Sequence, residues 1–495
     1  MSQNKITLKN SQKVILATSL AVLIYFLVFH RLDVKAIYSW DESLFATRAF
    51  YLAHHGEYFT NWKQVDHCSL PHPNTKPPLV SFIQAGFFKI LGYNRLALRM
   101  PIAILGMLLS LFLIYWSRKA KLGLGIGVVA CLVLLSSNGF NVNHVLRSGD
   151  HDAALALWLT LSIYSAFKYS VSSRKNLWAV LIFVCTAMAV LTKSIVGFMM
   201  LPPIAVFLFI ANKPLSVIKS WGLYLGLVLL IIGMASFYLT IEAREPGFLE
   251  LVWQNEVGGR YGKTIDNHKG PWFYYIKDLF INGFNPYLWF VPIGIMAGFK
   301  SRSELKRKLT LLLSLTGFFY LIVISIAETK LLWYGAPLYP LFSILAAIGI
   351  ASLWQDIVYP KVKNWSGARY LQWIIYFLII APGIALNIQQ NATEHTSYKV
   401  ERYEIDFEKL RLKYPEYKNI KILTRDEWYP SLVFVANKYD KFYGYQIELA
   451  NSKTPINKGD YVFSEYNNRF KELNLETVAD FKDGIKLYWV KDIRP

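Results

Sequence analysis

Charged side chains are scarce. Asp, Glu, Lys and Arg make up 17% of the 495 residues, against about 25% in an ordinary soluble domain. That shortage excludes a string of soluble domains, because too few polar groups remain to cover a wet surface. Acid is scarcer than base, 33 residues against 53, for a net charge of +20. Such an excess can mark a nucleic-acid binder. Here much of it sits in short loops between apolar runs, as positive-inside topology places it, and a nucleic-acid partner is excluded. Cysteine is nearly absent: three residues cannot build a disulfide framework. Cys131 and Cys185 lie inside apolar runs, and Cys68 reads as a lone loop thiol. No small-residue cleavage site follows the first apolar stretch, so the reading is an uncleaved first helix. Internal repeats and low-complexity tracts are also missing.

What is abundant is apolar and aromatic: 54% of residues are hydrophobic and 16% are Phe, Trp or Tyr. Apolar segments recur at 13–30, 97–116, 122–137, 153–170, 176–191, 195–211, 220–240, 285–299, 309–326, 335–354 and 370–388. This pattern predicts a polytopic α-helical membrane protein of about 11–13 transmembrane helices. Basic clusters at Lys5–Lys13, Arg118–Lys121, Lys168–Lys175, Lys213–Lys219, Lys300–Lys308 and Lys361–Arg369 then all fall on one side, the cytoplasmic one. The opposite, periplasmic side receives the loops 31–96 and 241–284 and the C-terminal segment. All nine histidines lie there or at its edge. Domains are expected at 1–390, spanning the membrane, and at 391–495. Within the first loop, 43–55 and 77–91 have apolar positions at helical spacing but are too short to span, and predict helices along the membrane surface. After residue 393 the composition turns polar. Short β-prone runs (KILT, LVFVA, YVFSE, KLYWV) and a helical stretch at 405–413 predict a small soluble α/β domain.

Ionisable residues cluster at the outer edge. Trp40-Asp41-Glu42 follows the first span, and Arg147-Ser-Gly-Asp150-His151-Asp152 opens the fourth. Alone, the first pair reads as a helix cap beside Ser39. Two such clusters at one depth read differently, since ionisable groups there are costly and mark function. Cations accompany them: Lys76 before Pro77-Pro78, Lys193 in a tight outward turn, Arg260 with Tyr261, and Lys330 with Tyr334. Each alone is an ordinary interfacial anchor or a snorkelling side chain. Together they suit an anionic substrate held by the membrane. A lipid-linked sugar phosphate fits: the tail stays in the bilayer, the phosphate needs Lys or Arg, and transfer of the sugar needs a general base. Asp66-His67-Cys68 with His72 groups metal-ligand residues at no standard zinc spacing. No cofactor is required by this reading; a divalent metal ion is the alternative.

The ordered set Trp40-Asp41-Glu42, Lys76-Pro77-Pro78-Leu79, Arg147…Asp152, Leu191-Thr192-Lys193, Arg260-Tyr261 and Lys330…Tyr334…Pro337-Leu-Tyr339-Pro340 resembles the dolichyl-phosphate-mannose–protein mannosyltransferase superfamily. The similarity is closest to the bacterial branch that includes the 4-amino-4-deoxyarabinose lipid A transferases. It implies a type C glycosyltransferase fold, an undecaprenyl-phosphate sugar as donor, inversion at the anomeric carbon, and a multi-pass protein of the bacterial inner membrane acting as a monomer. By motif position it implies Asp41 as leading base and Asp152 as second acid, with Glu42 and Asp150 as further acids. It assigns Lys76, Lys193 and Arg260 to the donor phosphate, and Arg147, Tyr261, Lys330 and Tyr334 to the substrate cavity. The chain departs from the pattern at Ala154, where a proline often stands, and in the extra Asp150. The acceptor is a lipid such as lipid A, a glycan or a protein. Two other readings compete: a flippase or transporter of lipid-linked sugars, and a glycan ligase or polymerase of the same fold. A transporter keeps its polar groups near mid-membrane and often shows repeats, and a ligase an Arg-rich large loop; neither feature is present.

Overall fold

A computed structural model of the chain describes residues 10–56, 75–141, 144–258, 268–393, 402–423, 430–450, 454–465, 473–481 and 484–493. The chain divides into two compact units. One comprises Met1–Leu32, Ile102–Arg147 and His151–Ala392; the other comprises Asp33–Pro101, Ser148–Asp150 and Thr393–Pro495. The second unit therefore joins the first outer loop to the C-terminal domain, whereas the composition break alone divides the chain near residue 390.

The first unit is a helical bundle. Among the described residues, 8 helices are long and apolar enough to cross a bilayer, or 9 if one bent pair counts as a single span. That pair, Tyr274–Gly283 and Tyr287–Phe299, is bent by 116°. Two further expected spans appear as the shorter apolar helices Leu124–Ser136 and Leu201–Ala211. Without a hydrophobic drive between helices in lipid, packing depends on close backbone approach and on interhelical hydrogen bonds. Both are present. A Cβ at Gly294 would collide with the Leu345 carbonyl, one at Gly349 with the Phe290 carbonyl, and one at Gly298 with Thr310. The helix Phe290–Phe299 thus meets Leu338–Leu353 and Glu304–Ile326 through glycine contacts. Ser136 and Tyr287 share a hydroxyl hydrogen bond of 2.8 Å, and Asn387 donates to the Ser136 carbonyl at 2.9 Å.

The second unit holds the helices Asp41–His55 and Leu79–Leu91, as the apolar spacing predicts. Ile37, Ala46, Ala49, Phe50, Phe88, Tyr93 and Leu98 form one buried core with Phe434 of the C-terminal domain. That domain carries a five-stranded sheet of β1 (Asn419–Leu423), β2 (Gln446–Ala450), β3 (Tyr461–Glu465), β4 (Leu473–Asp480) and β5 (Ile485–Ile493), in the order β2-β1-β3-β5-β4. β2, β1 and β3 run parallel, while β5 and β4 pair antiparallel. The run LVFVA is a correction to the sequence reading: it lies in the helix Pro430–Tyr443, not in a strand. Parallel β1 and β2 need a crossover connection, normally a helix, and that demand overrides local β-propensity.

Gly294→Val places a branched side chain against a backbone carbonyl that cannot move aside. It is expected to abolish folded protein, read as loss of the monodisperse peak in size-exclusion chromatography, whereas Gly233→Ala, where a Cβ meets nothing within 4 Å, should leave that peak intact.

Candidate functional site

The second unit carries the acids of the first loop. The helix Asp41–His55 begins at Asp41, so its free first-turn amides favour negative charge at the spot where Asp41 and Glu42 stand. Trp40, just before it, has φ +76°, a left-handed conformation that is costly for a bulky residue and persists only where its surroundings impose it. On either side of the turn stand Glu42 and, from the helix Arg95–Lys119, Arg99, both fully buried. Arg99 Nε donates to Glu42 Oε1 at 2.7 Å and a terminal nitrogen donates to Oε2 at 2.8 Å. The same guanidinium donates to the carbonyls of Lys35 and Ala36, at 2.8 and 2.7 Å. Glu42 also accepts the amides of Tyr38 at 2.8 Å and Gly149 at 2.6 Å. Burial by itself pushes the Glu42 carboxyl up; the Arg99 charge, its hydrogen bond and the two amides outweigh this and hold it below its ordinary value. Both Glu42 oxygens are thus committed to holding the chain, and its place is beneath Asp41.

Asp150 is buried and accepts from the Ser148 hydroxyl at 3.1 Å. An oxygen of Asp150 and one of Asp41 lie within 4.8 Å of each other. Two carboxylates this close favour a shared proton or an intervening cation. Among the described residues of this unit they form a pair chemically suited to a divalent metal. The Gly149 carbonyl accepts from Gln84 at 2.7 Å, which ties the Asp150 turn to the helix Leu79–Leu91. Lys76 is half-buried two residues before that helix's proline cap. Pro77 and Pro78 stop the helix from running back through it.

The first unit uses its cations in two different ways. Lys193 ends the helix Lys175–Lys193 and donates to both oxygens of Asp152, which begins Asp152–Val171, at 2.6 Å each. Its ammonium lies 5.6 Å from the Tyr334 ring centroid. Arg147 donates to the carbonyls of Val28 and His30 at 2.8 Å, closing the C-terminal end of the first span. Lys330 donates to the carbonyls of Ile324, Ser325 and Ala327 and so closes the end of Glu304–Ile326. Burial pushes the Lys330 ammonium below its usual value, against the opposing pull of Glu328. Tyr334 is held through its carbonyl, which accepts from Tyr320 at 3.0 Å. His144 stacks on Trp333 at 4.0 Å. Arg260, Tyr261, Asp66, His67, Cys68 and His72 lie outside the described residues. Arg99 is what the sequence reading missed. The available signal was an arginine near the start of an apolar run, where a charge persists only if paired.

Removing one partner of a buried pair strands the other charge, at a cost of about 3–5 kcal/mol. Glu42→Gln is therefore expected to lower the thermal midpoint in lipid nanodiscs strongly. Because the folded value lies below the ordinary 4.5, the wild-type contribution is present above that pH and lost as pH falls below it. The fall in the midpoint on acidification should be shallower in the variant.

Comparison with known proteins adds a family and a fold. The family model for dolichyl-phosphate-mannose-protein mannosyltransferase matches residues 75–239. An uncharacterized protein of Aquifex aeolicus is 28% identical over 348 residues, 69% of this chain and 64% of the relative. The undecaprenyl phosphate-alpha-4-amino-4-deoxy-L-arabinose arabinosyl transferase of Pectobacterium atrosepticum is 25% identical over 325 residues, 60% of this chain and 56% of that protein. The chain thus spans less than two thirds of the length of either relative. Among solved structures, ArnT from Cupriavidus metallidurans bound to undecaprenyl phosphate superposes with a TM-score of 0.69 at 15% identity, covering 97% of this chain and 98% of that one. Over residues 75–239 the chain is similar in sequence to the dolichyl-phosphate-mannose-protein mannosyltransferase family, and over nearly its whole length its fold is similar to that of ArnT from Cupriavidus metallidurans.

Proposed function

We propose that the protein is a glycosyltransferase that moves a sugar from a polyprenyl phosphate, undecaprenyl phosphate in bacteria, to an acceptor outside the cytoplasm. The reading rests on one observation above the others: Asp41 stands beside Asp150, on a helix start fixed by a fully buried ion pair. A general base has to be held this firmly to act on a passing hydroxyl. The arabinosyl transferase relatives support this choice of donor.

In this reading Asp41 takes the proton of the acceptor hydroxyl. The acceptor oxygen attacks the anomeric carbon from the face opposite the phosphate, and the new bond forms as the carbon–oxygen bond to phosphate breaks. The electron pair leaves on the polyprenyl phosphate, and the anomeric configuration inverts. By their motif positions Lys76 and Lys193 are assigned to the departing phosphate charge. Arg260 joins them by its motif, with Tyr261, Tyr334, Arg147 and Lys330 shaping the surroundings. Asp150, with an oxygen within 4.8 Å of one of Asp41, would help Asp41 hold a divalent cation, which would supply positive charge beside the reacting groups. The basic loops support an inner-membrane protein with a cytoplasmic N-terminus and a periplasmic C-terminal domain.

The test is consumption of a panel of undecaprenyl-phosphate sugars by the full chain in lipid, with a periplasmic and membrane extract as acceptor source. Asp41→Asn is expected to lower transfer about 10²–10⁴-fold with the thermal midpoint unchanged. Lys76→Ala is expected to raise the KM for donor more than it lowers kcat. Movement of sugar-lipid between leaflets without consumption would favour the flippase reading, which the helix pair bent by 116° supports.

A further inference from the structure

The short segment that leads into Asp41 is held from two directions. Arg99 takes the carbonyls of Lys35 and Ala36, and Glu42 takes the amide of Tyr38. The amide between these groups, that of Ile37, donates instead to Oε2 of Glu404 at 2.9 Å. Glu404 lies on Arg402–Lys413, the helix that opens the C-terminal domain, and is 1% exposed. Its other oxygen faces Arg95 Nε at 3.6 Å and Lys438 Nζ at 3.9 Å. Arg95 also pairs with Glu408 at 3.3 Å. Ile37 itself packs in the core that Phe434 completes. Four backbone groups within Lys35–Tyr38 are therefore fixed by three buried charged side chains, one of them supplied from 367 residues further along the chain.

This arrangement goes beyond closing or covering a site. A carboxylate is costly to bury and is retained only where its lone pairs are used. Here one lone pair is spent on a single backbone amide, four residues before Asp41. Loss of that bond removes one of the four restraints on Lys35–Tyr38 and lets the backbone at Ile37 shift between the bonds that remain, and a displacement near 1 Å at a reacting group costs about 10²-fold in rate. We propose that Glu404 is a positioning residue for Asp41, so that the C-terminal domain forms part of the catalytic unit. The inference deepens the transferase reading and rests on it.

Two substitutions separate reach from charge. Glu404→Asp keeps the charge facing Arg95 and Lys438 but withdraws the oxygen from Ile37. Glu404→Gln keeps the acceptor and removes the charge. With the full chain in lipid nanodiscs, Glu404→Asp is expected to lower kcat about 10- to 100-fold with the donor KM unchanged, while Glu404→Gln stays within about threefold. Hydrogen exchange adds a readout independent of activity. The amides of Ile37 and Tyr38 should exchange at least about tenfold faster in Glu404→Asp, with those of Lys175–Lys193 unaffected. Wild-type kcat in Glu404→Asp, unchanged protection at Ile37, or a loss that merely follows the folded fraction overturns the proposal. A wild-type chain that consumes no donor overturns the transferase reading instead, and the exchange measurement then still decides whether Glu404 holds the segment.

Discussion

Everything around the candidate base depends on burying one guanidinium and one carboxylate together. Neither Arg99 nor Glu42 could lose its water alone, since a stranded charge in this setting costs several kcal/mol. The pair is stable because its remaining hydrogen-bonding capacity is also used: Lys35 and Ala36 give carbonyls, Tyr38 and Gly149 give amides. Those four backbone groups come from two stretches far apart in the chain. The ion pair therefore fixes the residues before Asp41 and the turn that carries Asp150 in a single step, and two carboxylates that repel in isolation stand within 4.8 Å.

The second unit extends the same logic outward. Gln84 ties the Asp150 turn to the helix that follows Lys76, and Glu404 ties the Asp41 segment to the C-terminal domain. Phe434 closes the apolar core beneath. A domain that looks separate by composition is thus joined to the first loop by buried polar bonds as well as by packing. In the first unit, cations of similar appearance end in different tasks. Arg147 and Lys330 satisfy carbonyls that the last turn of a helix leaves without an intrahelical donor, while Lys193 is matched to an acid. The chemistry of a lysine in such a bundle is set by whichever orphan group it meets first.

Much of the fold was legible in the sequence, and the site only partly. Apolar runs with basic loops announced the helices because lipid admits few alternatives for a backbone. The helices at 43–55 and 77–91 followed from their spacing. The ordered motifs marked Asp41, Lys76 and Lys193 as candidates, since an ionisable residue at a membrane edge stands out against its surroundings. Glu42 stayed among the candidate acids beside Asp41, because adjacent acids in a sequence carry no sign of which way each one points. Arg99 was hidden inside an apolar run, and LVFVA read as a strand because its β-branched residues outweigh any sign of a crossover helix.

The sequence by itself determined that this chain crosses a membrane, where its segments lie, and which residue types gather outside the apolar runs. Those properties follow from local composition, which solvent and lipid sort directly. Only the tertiary structure decided that Glu42 is buried against Arg99, that an oxygen of Asp150 comes within 4.8 Å of one of Asp41, and that the C-terminal domain reaches Ile37 through Glu404. Each of these depends on pairs separated by about 57 to 367 residues, and the cost of an unpaired buried charge, which selects the partners, arises only once the chain has folded around them.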